Sequence, residues 1–257
     1  MPPRIFAIAD LHLSQTRPKP MDVFGANWKG HDQRIKQAWH EKVNDNDVVL
    51  VAGDISWAMT LSDALPDLRW IDDLPGHKIV VKGNHDYWWQ SIKQVRATAG
   101  RSIRFVQNDV VCMEGMAVGG TRLWDFPNAV WPRQPCTRDW SAKTRSPEQL
   151  DRIRSREIAR LRRSLEQLPT DAELRVALVH FPPLGADGEP NELTRIMTEH
   201  RVDICVFGHI HIAGSQSLAG ADCIVDRTRY VLTSCDAIGF RPKCIFPPSP
   251  GRQSEST

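Results

Sequence analysis

Five short motifs in this chain hold side chains that can bind a metal ion. They read Asp10-Leu11-His12, Gly53-Asp54, Gly83-Asn84-His85-Asp86, a single His180, and Gly208-His209-Ile210-His211. Imidazole, carboxylate and amide donors without any cysteine suit divalent metals such as Mn, Fe, Zn, Co or Ni. The residue types therefore predict a metal centre.

Each motif taken alone has a plainer interpretation. Gly-Asp is a common turn dipeptide, and an isolated Asp-x-His or a lone histidine after a strand is more often structural. The longer Gly-Asn-His-Asp and Gly-His-x-His strings are more specific. Glycines in three motifs allow the sharp turns and close backbone approach that a crowded site needs. The order of all five motifs is what favours a functional site.

The motifs follow five short apolar segments, at 5–9, 48–52, 78–82, 175–179 and 203–207. Each is rich in Val, Ile or Ala and has the length of a buried strand. Ligand sites of open α/β sheets collect at the carboxyl ends of strands. We therefore expect the five motifs to converge at one edge of the fold.

Helical periodicity occurs at 31–45, 88–99, 146–168 and 192–200. Ser146, Pro147 and Gln149 form a helix-start signature, Asn191 is a cap residue, and Gly100 could end the second helix. Strands that alternate with helices predict an α/β layered fold. Further β-like segments at 103–106, 109–113, 116–119, 223–225 and 229–234 do not alternate with helices, so part of the sheet is expected to be antiparallel.

The composition predicts a globular protein with a sizeable core. Of 257 residues, 41% are hydrophobic and 25% charged, and the net charge is only +2, so no nucleic acid or membrane partner is required. We expect no membrane span and no signal peptide, because the apolar segments are too short for either. Six cysteines without a C-x-x-C pair favour a reduced, cytoplasmic setting. We predict one domain over 1–246, with an insert at about 121–170, and a flexible tail at 247–257.

The motif series resembles the calcineurin-like metallophosphoesterase superfamily over residues 5 to about 235. Within it, the chain is most similar to small bacterial phosphohydrolases. The resemblance implies a four-layer α/β/β/α sandwich with two mixed sheets. It also implies hydrolysis of a phosphate mono- or diester by a hydroxide that bridges two divalent metals, with Mn favoured.

Carried over position by position, the resemblance assigns one metal to Asp10, His12, Asp54 and His211, and the other to Asp54, Asn84, His180 and His209. Asp54 bridges the two. His85 matches the catalytic histidine, as general acid or as transition-state stabiliser, and Asn84 is both a ligand and a donor to the phosphoryl group. Asp86 could orient His85 or cap the following helix.

The sequence differs from two branches of this superfamily at residues close to the proposed site. Ser/Thr protein phosphatases place an aspartate that pairs with the catalytic histidine where this chain has Trp57, which argues against protein phosphatase activity. Enzymes that cleave a nucleotide-linked lipid precursor share the D-L-H-L start of residues 10–13. They carry Arg where this chain has His85.

Several residues near the motifs are candidate substrate contacts. Trp57, Trp88 and Trp89 could stack on a base or sugar, or they could pack between sheet and helix. Residues 133–163 hold nine arginines and one lysine against four acids. We interpret the helical part as a solvated charged face, and Arg138 and Lys143 before it as the better substrate candidates.

The sequence leaves alternative functions open. A small phosphorylated substrate is the favoured partner. A nuclease of the same superfamily would need a continuous basic track, which residues outside 133–163 do not supply. A non-catalytic scaffold should have lost ligands, and a metal-storage module would not explain His85. The sequence does not indicate the physiological substrate or the oligomeric state.

Overall fold

A computed structural model describes residues 3–131, 145–211 and 219–246. The predicted tail at 247–257 and the candidate residues Arg138 and Lys143 lie outside these described residues.

Strands and helices alternate through the described part of the chain. The strands are β1 (Ile5–Ile8), β2 (Val48–Val51), β3 (His77–Val81), β4 (Ile103–Val106), β5 (Val110–Met113), β6 (Met116–Thr121), β7 (Leu174–Val179), β8 (Ile204–Phe207), β9 (Asp222–Val225), β10 (Thr228–Leu232) and β11 (Lys243–Phe246). The α-helices are α1 (His31–Lys42), α2 (Leu61–Asp72), α3 (Ile92–Ala97), α4 (Pro147–Leu165) and α5 (Glu192–Glu199). Short 3-10 helices span Met21–Phe24, Ala26–Trp28 and Ala219–Ala221.

The strands form two mixed sheets. The first has the order β11-β1-β2-β3-β4, and the second β5-β6-β7-β8-β10-β9. In the first sheet, β1 to β4 run parallel and only β11 is antiparallel to its neighbour. In the second, β6, β7, β8 and β10 run parallel while β5 and β9 are antiparallel at the two edges. The expected antiparallel component is therefore confirmed.

Side-chain alternation along the strands builds three apolar layers. Ala7 and Leu50 of the first sheet share a buried cluster with Val176 of the second, so the two sheets pack face to face. Helices cover the outer faces: Trp39 of α1 packs on the first sheet, and Leu161 of α4 packs on the second. The predicted α/β/β/α sandwich is confirmed.

Local signals placed most elements correctly. Ser146 caps α4 in a capping box with Gln149, and Asn191 caps α5 in one with Thr194. The sequence missed α2, which Thr60 caps by accepting the Asp63 N–H, because Pro66 in its interior lowers helix propensity.

Two further differences concern the ends of elements. Helix α3 ends at Ala97 with Thr98 as its C-cap, so Gly100 is not the cap. A β-carbon at Gly100 would collide with the Asp72 carboxylate, which explains the glycine by close packing. Strand β11 was not predicted. None of the helices in 3–131, 145–211 and 219–246 has the length and apolar character needed to cross a membrane.

Candidate metal centre

The carboxyl ends of β1, β2 and β3 meet those of β7 and β8 at one edge of the sandwich. Backbone hydrogen bonds join the two sheets there: Ala9 N–H donates to Thr233 O at 2.8 Å, and Cys235 N–H donates to Ala9 O at 3.0 Å. The strands are mostly buried and apolar, and polar motif residues follow where each strand ends. This arrangement brings the five motifs together, as the sequence predicted.

Two groups of possible ligand atoms lie side by side. The first consists of Asp10, His12 and His211, and the second of Asp54, His180 and His209. Within each group, one potential ligand atom from every residue lies within 4.8 Å of the others. Asn84 joins the second group, since its Oδ1 lies 2.6 Å from His180 Nε2 and 2.9 Å from His209 Nδ1.

Asp54 belongs to the second group and also faces the first. Its Oδ2 is 3.5 Å from His180 Nε2 and 3.9 Å from His12 Nε2. Atoms that share one ion at about 2.0–2.2 Å stand roughly 3–3.5 Å apart. These separations are close to the spacing of ligands around a common ion, with Asp54 able to serve both.

Hydrogen bonds at the ring nitrogen Nδ1 fix the orientation of two imidazoles. His180 Nδ1 lies 2.8 Å from Ala52 O, and His211 Nδ1 lies 2.9 Å from Asp236 Oδ1. A ring N–H that donates to such an oxygen leaves the other nitrogen, Nε2, with a lone pair for a metal. Asp236 was not predicted. It stands just beyond the end of β10, and the rule that selected the other motifs applies to it.

The buried groups influence one another's protonation. Burial raises the pKa of Asp10 to about 8, with the charge of His211 opposing and that of Asp54 adding to the rise. Burial and the neighbouring imidazoles lower the pKa of His12 well below its usual value, and burial lowers that of His180. Burial also lowers the pKa of His211, but the hydrogen bond and charge of Asp236 outweigh it and raise the pKa to about 9.

The site fits divalent metal ions on its own chemistry. Asp10 and Asp54 are 0% and 1% exposed, and burying carboxylates is costly unless a cation is near. His12 Nδ1 is buried without a hydrogen-bond partner among the described residues. Imidazoles next to buried carboxyl groups are the donor set that borderline divalent ions prefer, and a bound ion displaces any proton from the ligand atom.

Four of the proposed ligands have an unusual backbone conformation. Asp10, His12, Asp54 and His209 have φ values of 58°, 46°, 53° and 71°, in the left-handed region that non-glycine residues rarely adopt. Such conformations persist where surrounding contacts hold them, and they cluster at functional sites. Here the His12 N–H donates to Asp54 O at 3.0 Å, which holds the two motif loops against each other.

Two glycines permit the close approach of the motif loops. A β-carbon at Gly53, where φ is 89°, would lie 2.7 Å from His180 Nδ1. One at Gly208 would lie 2.6 Å from Ala9 Cβ and 2.8 Å from Asp10 Oδ2. Any larger residue would therefore displace a proposed ligand or the strand that carries it.

His85 stands beside the two groups and outside both. Its backbone N–H donates to Asp54 Oδ1 at 2.8 Å, and its Nε2 lies 4.0 Å from Asp54 Oδ2. The side chain is 20% exposed and contacts the Trp57 ring, with centroids 4.5 Å apart. It can reach a substrate at the centre without coordinating an ion.

Asp86 neither orients His85 nor caps a helix. Its carboxylate accepts backbone N–H groups of Asp54, Ile55, Ser56 and Gly83 and the Trp88 indole N–H, at 2.8–3.2 Å. Burial, with the charge of Asp54, raises the pKa of Asp86 to about 7, against the effect of these N–H groups. Its structural role is to tie the second and third motif loops together.

The three candidate tryptophans lie in packed positions. Trp88 and Trp89 are 1% and 0% exposed, so their rings offer no open stacking face to a substrate. The Trp57 ring stacks on His12 at 4.7 Å, and Lys19 Nζ lies 3.2 Å from its centroid. Trp57 thus packs against a proposed ligand.

Comparison with known proteins gives partial sequence matches. Two curated proteins, each called Gene 66 protein, come from Mycobacterium phage L5 and Mycobacterium phage D29. They are 35% identical over 78 residues and 33% identical over 84 residues. The matches cover 30% and 32% of this chain and only 37% and 40% of those relatives.

Similar solved structures cover nearly the whole chain. The phosphopantetheinyl hydrolase of Mycobacterium tuberculosis has a TM-score of 0.54 and 16% sequence identity, over 97% of this chain and 98% of that one. A protein of unknown function from Aquifex aeolicus has a TM-score of 0.48 and 15% identity, over 93% and 94%. The first of these likenesses supports the fold.

The family match covers most of the chain. Residues 3–213 match the calcineurin-like phosphoesterase family, and this range contains all five motifs and both groups of possible ligands. The chain therefore belongs to the calcineurin-like phosphoesterase family.

Proposed function

We propose that this protein is a metal-dependent phosphohydrolase that cleaves a phosphate mono- or diester. The position of Asp54 Oδ2 supports the proposal most, because it lies between an imidazole of each group. Asp10, His12, Asp54 and His211 would hold one ion, and Asp54, Asn84, His180 and His209 the other. When bound, these ions would act as Lewis acids that activate water and neutralise negative charge on the phosphoryl oxygens.

Three residues of the chain would perform the other steps of the reaction. Asp54 Oδ1 accepts the His85 N–H, and this bond fixes the bridging carboxylate relative to the catalytic loop. Asn84 can turn its amide N–H toward a phosphoryl oxygen while its Oδ1 faces the second group. In this proposal, His85 Nε2 would give a proton to the leaving oxygen, or stabilise negative charge as imidazolium.

Metal content and esterase activity test the proposal together. After reconstitution with manganese, we expect about two equivalents of metal per chain and hydrolysis of nitrophenyl mono- or diesters. Asp54→Asn should abolish turnover and lose at least one ion, since the shared carboxylate offsets the repulsion between two cations. Asp171→Asn, an exposed acid between α4 and β7, is the matched control.

Two results would contradict this assignment. Metal binding that saturates near one equivalent would exclude the two-ion site. An Asp54→Asn variant with both ions and near-native turnover would show that Asp54 is not the shared ligand.

A panel of metabolites tests the substrate class. It should include a phosphopantetheinyl ester, and also an oligonucleotide, since nuclease activity is the alternative within the family. Manganese as the native metal and a cytoplasmic location stay predictions.

A further inference from the structure

A cavity of about 280 Å³ lies beside the proposed metal centre and shares Asn84 with it. Apart from Asn84, its wall is mostly basic and aromatic, with Lys82, Tyr87, Arg122, Trp124, Arg145 and Arg156. Four of these six side chains are cations. The cavity therefore places positive charge next to the point where a phosphoryl group would react.

Two of the cations are positioned by strand ends. Lys82 follows β3 directly and Arg122 follows β6, so both lie at the edge of the sandwich that carries the motifs. The Arg122 carbonyl accepts the N–H groups of His180 and Phe181, at 3.3 and 3.0 Å. Arg122 is thus fixed to the loop that carries a proposed ligand.

The other two cations belong to α4 and the residue that lies just before its cap. Arg145 precedes α4, and Arg156 lies on that helix with its side chain 57% exposed. Arg156 Nε is 3.8 Å from Glu157, whose closer partner is Arg160 at 2.6 Å. The sequence suggested a solvated face for this helix, but Arg156 lines the cavity.

Trp124 supplies a second, independent sign of a ligand. The guanidinium carbons of Arg122 and Arg145 lie 4.9 and 5.5 Å from its ring centroid, within cation–π range. The residue is 5% exposed, and its indole Nε1 is buried without a hydrogen-bond partner among the described residues. An unused buried N–H among arginines is a donor for an anion.

In the described lining of the cavity, cations outnumber acids. Asp86 is the one acidic residue among the described residues that line it. Both of its oxygens are engaged by the N–H groups of the motif loops. A cluster of one sign next to a reactive site attracts and orients an anion, and arginine does so through paired hydrogen bonds.

We propose that this cavity binds a second phosphate of the substrate, which makes the substrate class a small bisphosphorylated molecule. The proposal rests on the proposed function, because the first phosphate would be the one hydrolysed at the metal centre. A small molecule is favoured over a nucleic acid since the cations converge on one cavity. A nucleic acid backbone would need a continuous basic track, and the whole chain carries a net charge of only +2.

The experiment compares esters that differ only in the second phosphate. Probes are the monophosphates and bisphosphates of ethane-, propane-, butane- and hexanediol, given to the manganese-loaded protein. We expect kcat/KM to favour the best-fitting bisphosphate by about 10- to 100-fold, as charge-assisted hydrogen bonds allow. Arg156→Gln and Arg122→Gln should each lower this preference ratio several-fold, whereas Arg152→Gln, exposed on the same helix, should leave it unchanged.

A binding measurement separates failure of this proposal from failure of the proposed function. The same probes are titrated by calorimetry into the manganese-loaded His85→Ala variant, together with a single-stranded oligothymidylate. If the wild type hydrolyses no ester, the proposed function is wrong. Tighter binding of the bisphosphate than of the monophosphate, dependent on Arg156, would still support a phosphate-binding cavity. Equal handling of mono- and bisphosphates in both assays overturns the cavity proposal alone. Tighter binding of the oligonucleotide than of every diol bisphosphate overturns it in favour of a nucleic acid.

Discussion

The carboxylate of Asp86 accepts the backbone N–H of Asp54 at 3.0 Å, across 32 positions of sequence. In return, the N–H of His85 donates to the Asp54 side chain. These two bonds clamp the loops that follow β2 and β3. The position of the proposed shared ligand is therefore set by a residue that coordinates nothing itself.

Removing that clamp should destabilise the fold as well as the site. In Asp86→Ala, five N–H groups lose their acceptor in a region closed to water, so we expect the free energy of unfolding to fall by at least about 3 kcal/mol. Urea denaturation of the manganese-loaded protein measures it. The exposed Asp151→Ala should change stability by no more than about 0.5 kcal/mol. A similarly small loss for Asp86→Ala would mean that the loops hold each other without the carboxylate.

Asp47 should make stability depend on pH through a contact far from the metal centre. Burial alone would raise its pKa, but hydrogen bonds and charge from Arg4, together with the Asn44 N–H, hold the pKa of Asp47 below its usual value of 3.8. A lowered folded-state pKa means that the stabilisation is fully present above about pH 4. It is lost as pH falls through the folded-state pKa.

The variant Asp47→Asn isolates this contribution. Because Arg4 is 41% exposed and screened by solvent, we expect a loss of only about 1 kcal/mol at pH 7, which shrinks as the pH falls below about 4. Urea unfolding at pH 7, 5 and 3 measures the difference, with the exposed neighbour Asp45→Asn as control. A difference that stays constant between pH 7 and pH 3 would contradict the ionic origin.

The sequence was sufficient to predict where the strands end and which residues follow them. Apolar segments that stop abruptly at Asp10, Asp54 or His180 are visible because a buried strand holds few polar residues until it leaves the core. Asp236 and Arg122 also follow strands, but they were overlooked because the β-like segments before them do not alternate with helices. Both could be found by examining every strand end in the same way.

Other features depend on the folded chain alone. The left-handed backbone at His12 and His209 could not be read from the sequence, because histidine adopts that region more often than most residues but still only in a minority of cases. The burial of Trp88 and Trp89 depends on how α3 and β4 pack around them, and adjacency to a motif could not reveal it. The cavity at Arg122 brings together residues more than 30 positions apart, from β6 and α4.

Asp236 should act through His211 on metal affinity. Its carboxylate lies 2.9 Å from His211 Nδ1, so it fixes the ring and leaves Nε2 for an ion shared with Asp10 and His12. Loss of such a partner typically weakens metal binding about 10- to 100-fold. We expect Asp236→Asn to raise the manganese concentration needed for half-maximal activity by that factor. Much of the turnover should return at saturating metal.

Metal titration of activity, with bound manganese counted on the same samples, checks the role of Asp236. Asp226→Asn, whose carboxylate accepts the exposed Thr198 hydroxyl, is the matched control. Turnover that stays low at saturating manganese would show that Asp236 does more than position His211. An unchanged titration would show that the hydrogen bond does not matter for the ion.

His85 should affect chemistry and leave metal binding intact. Its Nε2 lies 4.0 Å from Asp54 Oδ2, yet all seven proposed ligands remain when its side chain is removed. If it gives a proton to the leaving oxygen, His85→Ala should lower turnover by roughly 10²- to 10⁴-fold. The loss should be smaller for nitrophenyl phosphate, whose leaving group needs little protonation, and larger for an alkyl phosphate.

The ratio of the two losses identifies the role of His85. Turnover of both esters is measured for the wild type, His85→Ala and the exposed His40→Ala of α1, with metal counted on each sample. Equal losses on both esters would exclude proton donation and leave stabilisation of charge, because an imidazolium near the phosphoryl oxygens acts regardless of the leaving group. Loss of metal would place His85 among the ligands. A purely structural histidine would lower the urea midpoint and affect both esters alike, so the leaving-group dependence with full metal content is the pattern that only a proton donor gives.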